Sequence, residues 1–487
     1  MQKKKSFTLV LMILFSFLLC ACQISPTHSI VTSKNDGAFD ANLQQKSSQQ
    51  EAHKITLKRS NSFTSTDNSV EFVWKLDQTL NVGAMPVLEV APYLFTSEDV
   101  QQVVKAIFGD DIVFYDVGPE SQRQLSKSEI QEKISLLSKY ANEEDLYWLM
   151  GQEADLESLK SRIMRYTQQY ETAPDANPHT VCDWTLKPSN YYERNEDGKT
   201  DTLIATTRIG NFDYQVEARV RNQRDYLKSD IQIGLGDGNG RETFVERAIN
   251  TAQLCITEEP TQVQIEQAKA TAQSMLDKMG LGDYIIAETL IDVRYYGDIP
   301  AYQIWIEAEP VFEGANVLYG DFGRSYIAEE QYNSEYPVGQ IQFFFSASSD
   351  LISFRMHSLV EVLDVKNSNV ATLSMDELIE KAQNYMSLYD AEALDKFTGN
   401  TLMLEALTGR TRNTLDCRVE ITEATYGLAR YPIADSNSFY YAPAVIFRGT
   451  IDYCEPETGK IVTGTGNPNG SRIQTLAVVN AVDGTIF

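Results

Sequence analysis

Histidine is scarce: His28, His53, His179 and His357 are the only four in 487 residues. No HExxH, no GxSxG and no Cys/His arrangement of known spacing occurs, so the familiar zinc-protease, serine-hydrolase and thiol-protease signatures are excluded. Cysteine is sparse as well, with six residues and no CxxC spacing, which leaves no zinc or redox motif. Basic residues are the minority charge, 42 Lys and Arg against 68 Asp and Glu, for a formal charge of -26. A surface of that sign repels nucleic acid and anionic headgroups, so no nucleic-acid partner is expected. Nothing calls for a cofactor or a metal, and neither is expected.

What is present points to folded β structure. Hydrophobic residues make up 43% of the chain and aromatics 10%, with 25 Tyr and 21 Phe. That suffices for real cores and favours strands. The length leaves room for two or three domains.

The N-terminus carries the most specific signal. Lys3, Lys4 and Lys5 precede a short apolar run from Leu9 to Leu19. This is the layout of a secretion signal, too short for a comfortable membrane span. Leu19-Cys20-Ala21-Cys22 then supplies leucine at -3, a small residue at -1 and cysteine at +1. It resembles the lipobox of bacterial lipoproteins and departs from it in Cys20, where Ser or Ala is commoner. The resemblance implies a signal peptide over 1–21, lipidation of Cys22, and a position on the outer face of the bacterial cytoplasmic membrane. Residues 22–65 have few large apolar side chains and are expected to be a flexible tether.

Four cysteines remain: Cys182, Cys255, Cys417 and Cys454. Cys417 begins one strand-like run and Cys454 ends another. Antiparallel pairing of those runs would bring the two together, so a Cys417–Cys454 disulfide is expected, and Cys182–Cys255 is the second candidate. Four buried thiols are the alternative.

The first folded block is set at 66–255. EFVWKLDQTLNV and MPVLEV are strand-like, Ser97 is expected to cap a helix ending at Gly109, and Ser126 with Glu129 forms a capping box. A third helix is expected from near Asn142, with Leu146, Leu149, Leu156, Leu159 and Ile163 as its stripe. Turns at Glu196–Lys199 and Gly210-Asn211 separate later strands. Two units follow, 256–373 and 374–487. Each opens with a capped helix, at Thr261 and at Ser374 with Glu377, and continues as strands. Ile265-Glu-Gln-Ala268 answers Ile379-Glu-Lys-Ala382, and Phe345–Ile352 answers Val479–Ile486. The pattern reads as a degenerate duplication or as convergence on one helix-and-sheet plan.

The last stretch, Tyr441-Ala-Pro443-Ala444-Val-Ile-Phe447-Arg-Gly449 followed by Asn480-Ala481-Val482-Asp483-Gly484-Thr485-Ile486, resembles PepSY-like modules. It is most similar to an uncharacterised family of Firmicutes lipoproteins. The resemblance implies binding or restraint of a partner, a membrane sensor or an envelope protein, in preference to chemistry. The fold class expected is α+β: an N-terminal α+β domain followed by two helix-on-antiparallel-sheet units.

Other residues bear on chemistry. Glu307 and Glu309 share one face of a strand, as paired carboxylates of a glycosidase would. His179 lies three residues before Cys182, a base near a thiol. Gly234 to Gly240 forms a glycine run that misses the spacing of phosphate loops and the ligands of a calcium loop. Tyr295-Tyr296, Phe343-Phe344-Phe345 and Tyr440-Tyr441 could line a groove, although aromatics on strands more often form core. The expectation is a lipid-anchored, non-catalytic binding or regulatory protein. A solute-binding lipoprotein and an envelope hydrolase are the alternatives, the latter requiring close carboxylates of shifted pKa.

Overall fold

The computed structural model describes residues 38–43, 45–46, 53–82, 85–116, 125–139, 141, 154–176, 180–189, 199–210, 212–223, 226–235, 254, 258–296, 299–312, 314–318, 339–357, 359–391, 394, 415–433, 436–464 and 474–486. Helices and large sheets combine in a mixed α+β fold in which the sheets dominate.

Two sheets organise the chain. In the first, strands run β11 (Tyr284–Tyr296), β12 (Ile299–Phe312), β14 (Gln340–Phe345), β15 (Leu351–His357), β10 (Tyr226–Leu235), β9 (Phe212–Gln223), β8 (Lys199–Ile209) and β6 (Tyr115–Asp116). β13 (Ala315–Asn316) pairs with β12, and β7 (Lys187–Ser189) with β8. Alternation along the strands gives one apolar face, with Ile304, Ile306 and Ala308 of β12 beside Ile341, Phe343 and Phe345 of β14. Helices α2 (Ser97–Phe108) and α5 (Gln262–Met279) cover it through Val100, Val104, Ala268, Ala272 and Leu276. The opposite face takes α3 (Lys127–Lys139) and α4 (Ala154–Thr172) around Phe344, Trp305 and Ile352.

In the second sheet the order is β16 (Val360–Asn367), β5 (Val87–Pro92), β18 (Phe439–Cys454), β17 (Asp416–Pro432), β3 (Val70–Trp74) and β2 (Ser62–Thr64). β17 and β3 run parallel. One edge of the long β18 belongs to β17. The other is shared in turn by β5, β20 (Gln474–Asn480) and β19 (Ile461–Gly464). Helix α6 (Met375–Met386) lies on one face, with Leu378, Ile379 and Ala382 against Phe447, Val419 and Trp74. The two-stranded pair β1 (His53–Arg59) and β4 (Leu76–Val82) closes the same core through Leu57 and Leu80.

The sheets are stitched together at β13. After pairing with the end of β12, the chain bridges Val317 to Leu428 of β17, and Leu318 N–H donates to the Leu428 carbonyl at 2.7 Å. Gly427 makes this possible: a Cβ there would lie 2.6 Å from the Asn316 carbonyl oxygen.

Several expectations hold locally. The capping boxes at Ser126 and Ser374 form, Thr261 caps α5 and is joined by Gln264 in a box of its own, and Gly210 turns β8 into β9 at φ +60°. Others are corrected. The cap of α2 is Thr96, one residue before Ser97, because the Asp99 carboxylate reaches back to the Thr96 N–H at 2.7 Å. Of the third helix the part from Ala154 to Thr172 is described; residues 142–153, with Leu146 and Leu149, and Glu196 to Gly198 of the expected turn lie outside the described residues. Within the stretch read as a flexible tether, residues 38–43, 45–46 and 53–65 are folded. Helix α1 (Ala38–Leu43), β1 and β2 lie in it, because its few apolar residues, Phe39, Leu43 and Leu57, are each buried by segments distant in sequence.

Strands from before residue 255 join both sheets: β10 pairs with β15, while β3 and β5 pair with β17 and β18. The repeat seen in sequence has a topological counterpart. α5 leads to the β11–β12 hairpin, then β14 beside β12, then β15. α6 leads to β17–β18, then β20 beside β18, then an isolated bridge from Ile486 back to Val479. Ala268 and Ala382 are fully buried at matching places. The matched turns close alike, with Ser346 N–H on the Asp350 carbonyl at 2.9 Å and Asn480 N–H on that of Thr485 at 2.7 Å.

Candidate functional site

The face of the first sheet turned away from α2 and α5 is polar across its central strands. Direct cross-strand pairing aligns Glu288, Glu307, Gln342, Arg355, Gln232 and Glu217 in one row across β11, β12, β14, β15, β10 and β9. The adjacent row holds Gln340, His357, Asp230, Arg219 and Thr202. Each residue alternates with an apolar one that enters the core below, so packing that core fixes the polar array above it.

The groups hold one another. Glu307 accepts from the side-chain amides of Gln340 at 2.9 Å and Gln342 at 2.8 Å. His357 Nδ1 lies 2.8 Å from Asp230 Oδ1, and the carboxylate is nine-tenths buried. Arg219 Nε meets Glu217 at 2.7 Å. At one end Trp305 stacks on Phe344 with centroids 5.4 Å apart, and the Arg355 guanidinium sits 5.9 Å above the same phenyl ring. Two buried donors on this face, Trp305 Nε1 and Thr202 Oγ1, have no hydrogen-bond partner.

Glu309 differs from its neighbours. Burial pushes its carboxyl up to about 8, Glu307 and Glu288 add to the shift, and Arg448 of the second sheet opposes it. It is therefore largely protonated at neutral pH and can donate a hydrogen bond. An imidazole oriented by a carboxylate at Nδ1 keeps Nε2 for a proton or a ligand. Two inter-strand steps separate Glu309 on β12 from His357 on β15, about 10 Å. The array can bind a polar ligand through fixed donors and acceptors, and it pairs an acid with an oriented imidazole. Among the described residues no three His, Cys, Asp or Glu converge as metal ligands.

The residues singled out in sequence fall as follows. Glu307 and Glu309 share a face as expected. Cys22, Cys255 and His179 lie outside the described residues, and so does the Cys182–Cys255 pairing. Cys182 is buried, with its thiol pushed up to about 11 by burial, which suits core and not a nucleophile. The strands bearing Cys417 and Cys454 pair as expected, but the expected bridge between them is not made. Cys417 faces Tyr453 and Cys454 faces Asp416, so the two thiols are one residue out of step and point to opposite faces of the sheet. Gly234 ends inside β10, and the run beyond Leu235 lies outside the described residues. Phe343 and Phe345 are core, while Phe344 belongs to the polar face. His357, Asp230 and Arg219 were not read together from sequence, because their strands meet only in the folded sheet.

No helix among the described residues is long and apolar enough to cross a membrane. No protein-family model and no curated protein matches the chain. Among solved structures, an uncharacterized protein from Eubacterium rectale is similar at 9% identity, over 93% of this chain and 97% of that one, with a TM-score of 0.38.

Proposed function

We propose that the chain is a lipoprotein of the bacterial cell envelope, anchored through lipid on Cys22 and acting as a non-catalytic binding or regulatory protein for a membrane sensor or envelope protein. The anchor rests on the lysine-rich start, the short apolar run and the Leu19–Cys22 pattern. Binding rests on one observation above all: Glu307, Asp230 and Glu217 are each held by a neighbouring donor, which fixes a largely buried polar array across the sheet. The finer division into two helix-on-sheet units, of which the last is PepSY-like, belongs to the same reading, with the block over 66–255 supplying strands to both sheets. It draws support from the repeated order of helix, hairpin and third strand. The test is cross-linking of the tagged chain in living cells and identification of its companions, with Cys22→Ala as control. A stoichiometric envelope partner lost in the variant supports the proposal, and an anchored chain with no partner sinks it.

One observation favours a second reading, an envelope hydrolase. Glu309 is a carboxyl of raised pKa near two other carboxylates and on the same face as an Asp-oriented histidine. Release of product from cell-wall fragments, abolished by both Glu309→Gln and His357→Asn, would carry it. No turnover by the unaltered chain would remove it.

A further inference from the structure

Residues 38–46 meet the rest of the chain as a peptide meets its receptor. Phe39 and Leu43 lie one turn apart on α1 and enter a pocket made by Val87, Val370, Tyr431, Tyr440, Ala442 and Val482. Phe39 stacks on Tyr431 with centroids 4.3 Å apart and planes 16° from parallel, and it tilts against Tyr440 at 5.5 Å. The polar contacts cap the C-terminal end of the segment, where a helix leaves carbonyls unpaired. Asn367 Nδ2 donates to the carbonyls of Leu43 at 2.7 Å and Gln45 at 3.1 Å, and Ala371 N–H donates to Gln45 at 3.0 Å. Asn42 Nδ2 reaches the Val482 carbonyl at 3.2 Å, and Lys46 bridges Val370.

Two physical facts separate this segment from the body it sits on. Six residues of helix have no stability alone, so α1 is helical because it is docked. The pocket does not depend on α1 in the same way. Val87, Tyr431, Tyr440 and Ala442 stand on β5, β17 and β18, whose ladders and opposite face are built by other parts of the chain. A preformed aromatic slot with a fixed asparagine donor, filled by a segment that folds on docking, is the helix-in-groove mode of recognition.

We infer that this slot is a peptide-docking site, that residues 38–46 are its resident intramolecular ligand, and that it accepts in trans a short amphipathic helix carrying an aromatic residue and a leucine one turn apart. The resident segment therefore blocks the site.

A fluorescent peptide of residues 36–47 tests this by anisotropy against the full chain and against the full chain carrying Phe39→Ala with Leu43→Ala. Saturable binding to the variant, at least tenfold weaker binding to the unaltered chain, and loss with a Phe39→Ala peptide are expected. Equal binding to both chains overturns the inference. So does absence of binding to a variant that unfolds at the denaturant midpoint of the unaltered chain. Should the variant fail to fold, hydrogen exchange on the unaltered chain decides. Amides of residues 39–46 are expected to exchange at least tenfold faster than those of β18, through an opening that leaves β18 protected. Exchange of both segments in one step would overturn the inference.

Discussion

His357 and Asp230 face each other on paired strands 127 residues apart in sequence, ring nitrogen to carboxylate at 2.8 Å. The contact ties β15 to β10 and so joins two stretches of the chain that the sequence sets apart. Asp230→Ala removes the acceptor and leaves the half-buried ring facing an apolar methyl. A loss of about 1–3 kcal/mol in unfolding free energy is expected from urea denaturation. Asp230→Asn keeps an acceptor oxygen and should lose less.

Glu309 gives the stability a pH dependence of defined sign. Its folded-state pKa is raised to about 8 from an ordinary 4.5, chiefly by burial. The folded chain then holds a proton that the unfolded chain has released, and the contribution to stability falls as pH rises from about 4.5 to about 8. Glu309→Gln removes this slope. Its denaturation midpoint should exceed that of the unaltered chain at pH 8 and match it near pH 4.5. Equal shifts at both pH values would refute the assignment.

Gly449 sits opposite Ile421, beside the bulge at Ile421/Glu423. A Cβ there collides with the Glu420 carbonyl oxygen, a backbone atom that cannot swing aside. Gly449→Ala should cost about 2–3 kcal/mol, read by thermal or urea unfolding. Gly282→Ala, where the added carbon meets nothing within 4 Å, is the control.

The cysteine geometry can be checked directly. Peptide mapping without reduction should find no fragment linking Cys417 to Cys454, since their side chains leave the sheet in opposite directions. A linked fragment would show that the strands pair one residue away from the register described.

What could be read from the sequence was local. Ser126 with Glu129, Ser374 with Glu377, and Thr261 as a cap set helix starts because a cap needs only residues three apart. The hairpin of Cys417 and Cys454 was legible as two strand-like runs, but its register was not. One residue of slip decides which side chains meet, and composition does not encode that step. The polar row across β12, β14, β15, β10 and β9 was invisible for the same reason: its members come from five strands spread between residues 212 and 357. Phe39 was missed because a single aromatic among polar residues carries no period, and distant residues such as Val87, Tyr431, Tyr440 and Val482 make it core.

On the proposed anchor and docking slot, the seating of Phe39 would give the molecule a leash with two settings. If lipid on Cys22 holds the chain at a membrane, the span from residue 22 to the docked helix at Ala38 can reach at most about 55 Å. With residues 38–46 released, the contour length of chain from residue 22 to β1 at His53 sets a limit of about 110 Å. Occupation of one aromatic slot would thus decide how deep into the cell wall the polar face can search. A peptide that takes the slot would lengthen the reach of the body without altering the face it carries.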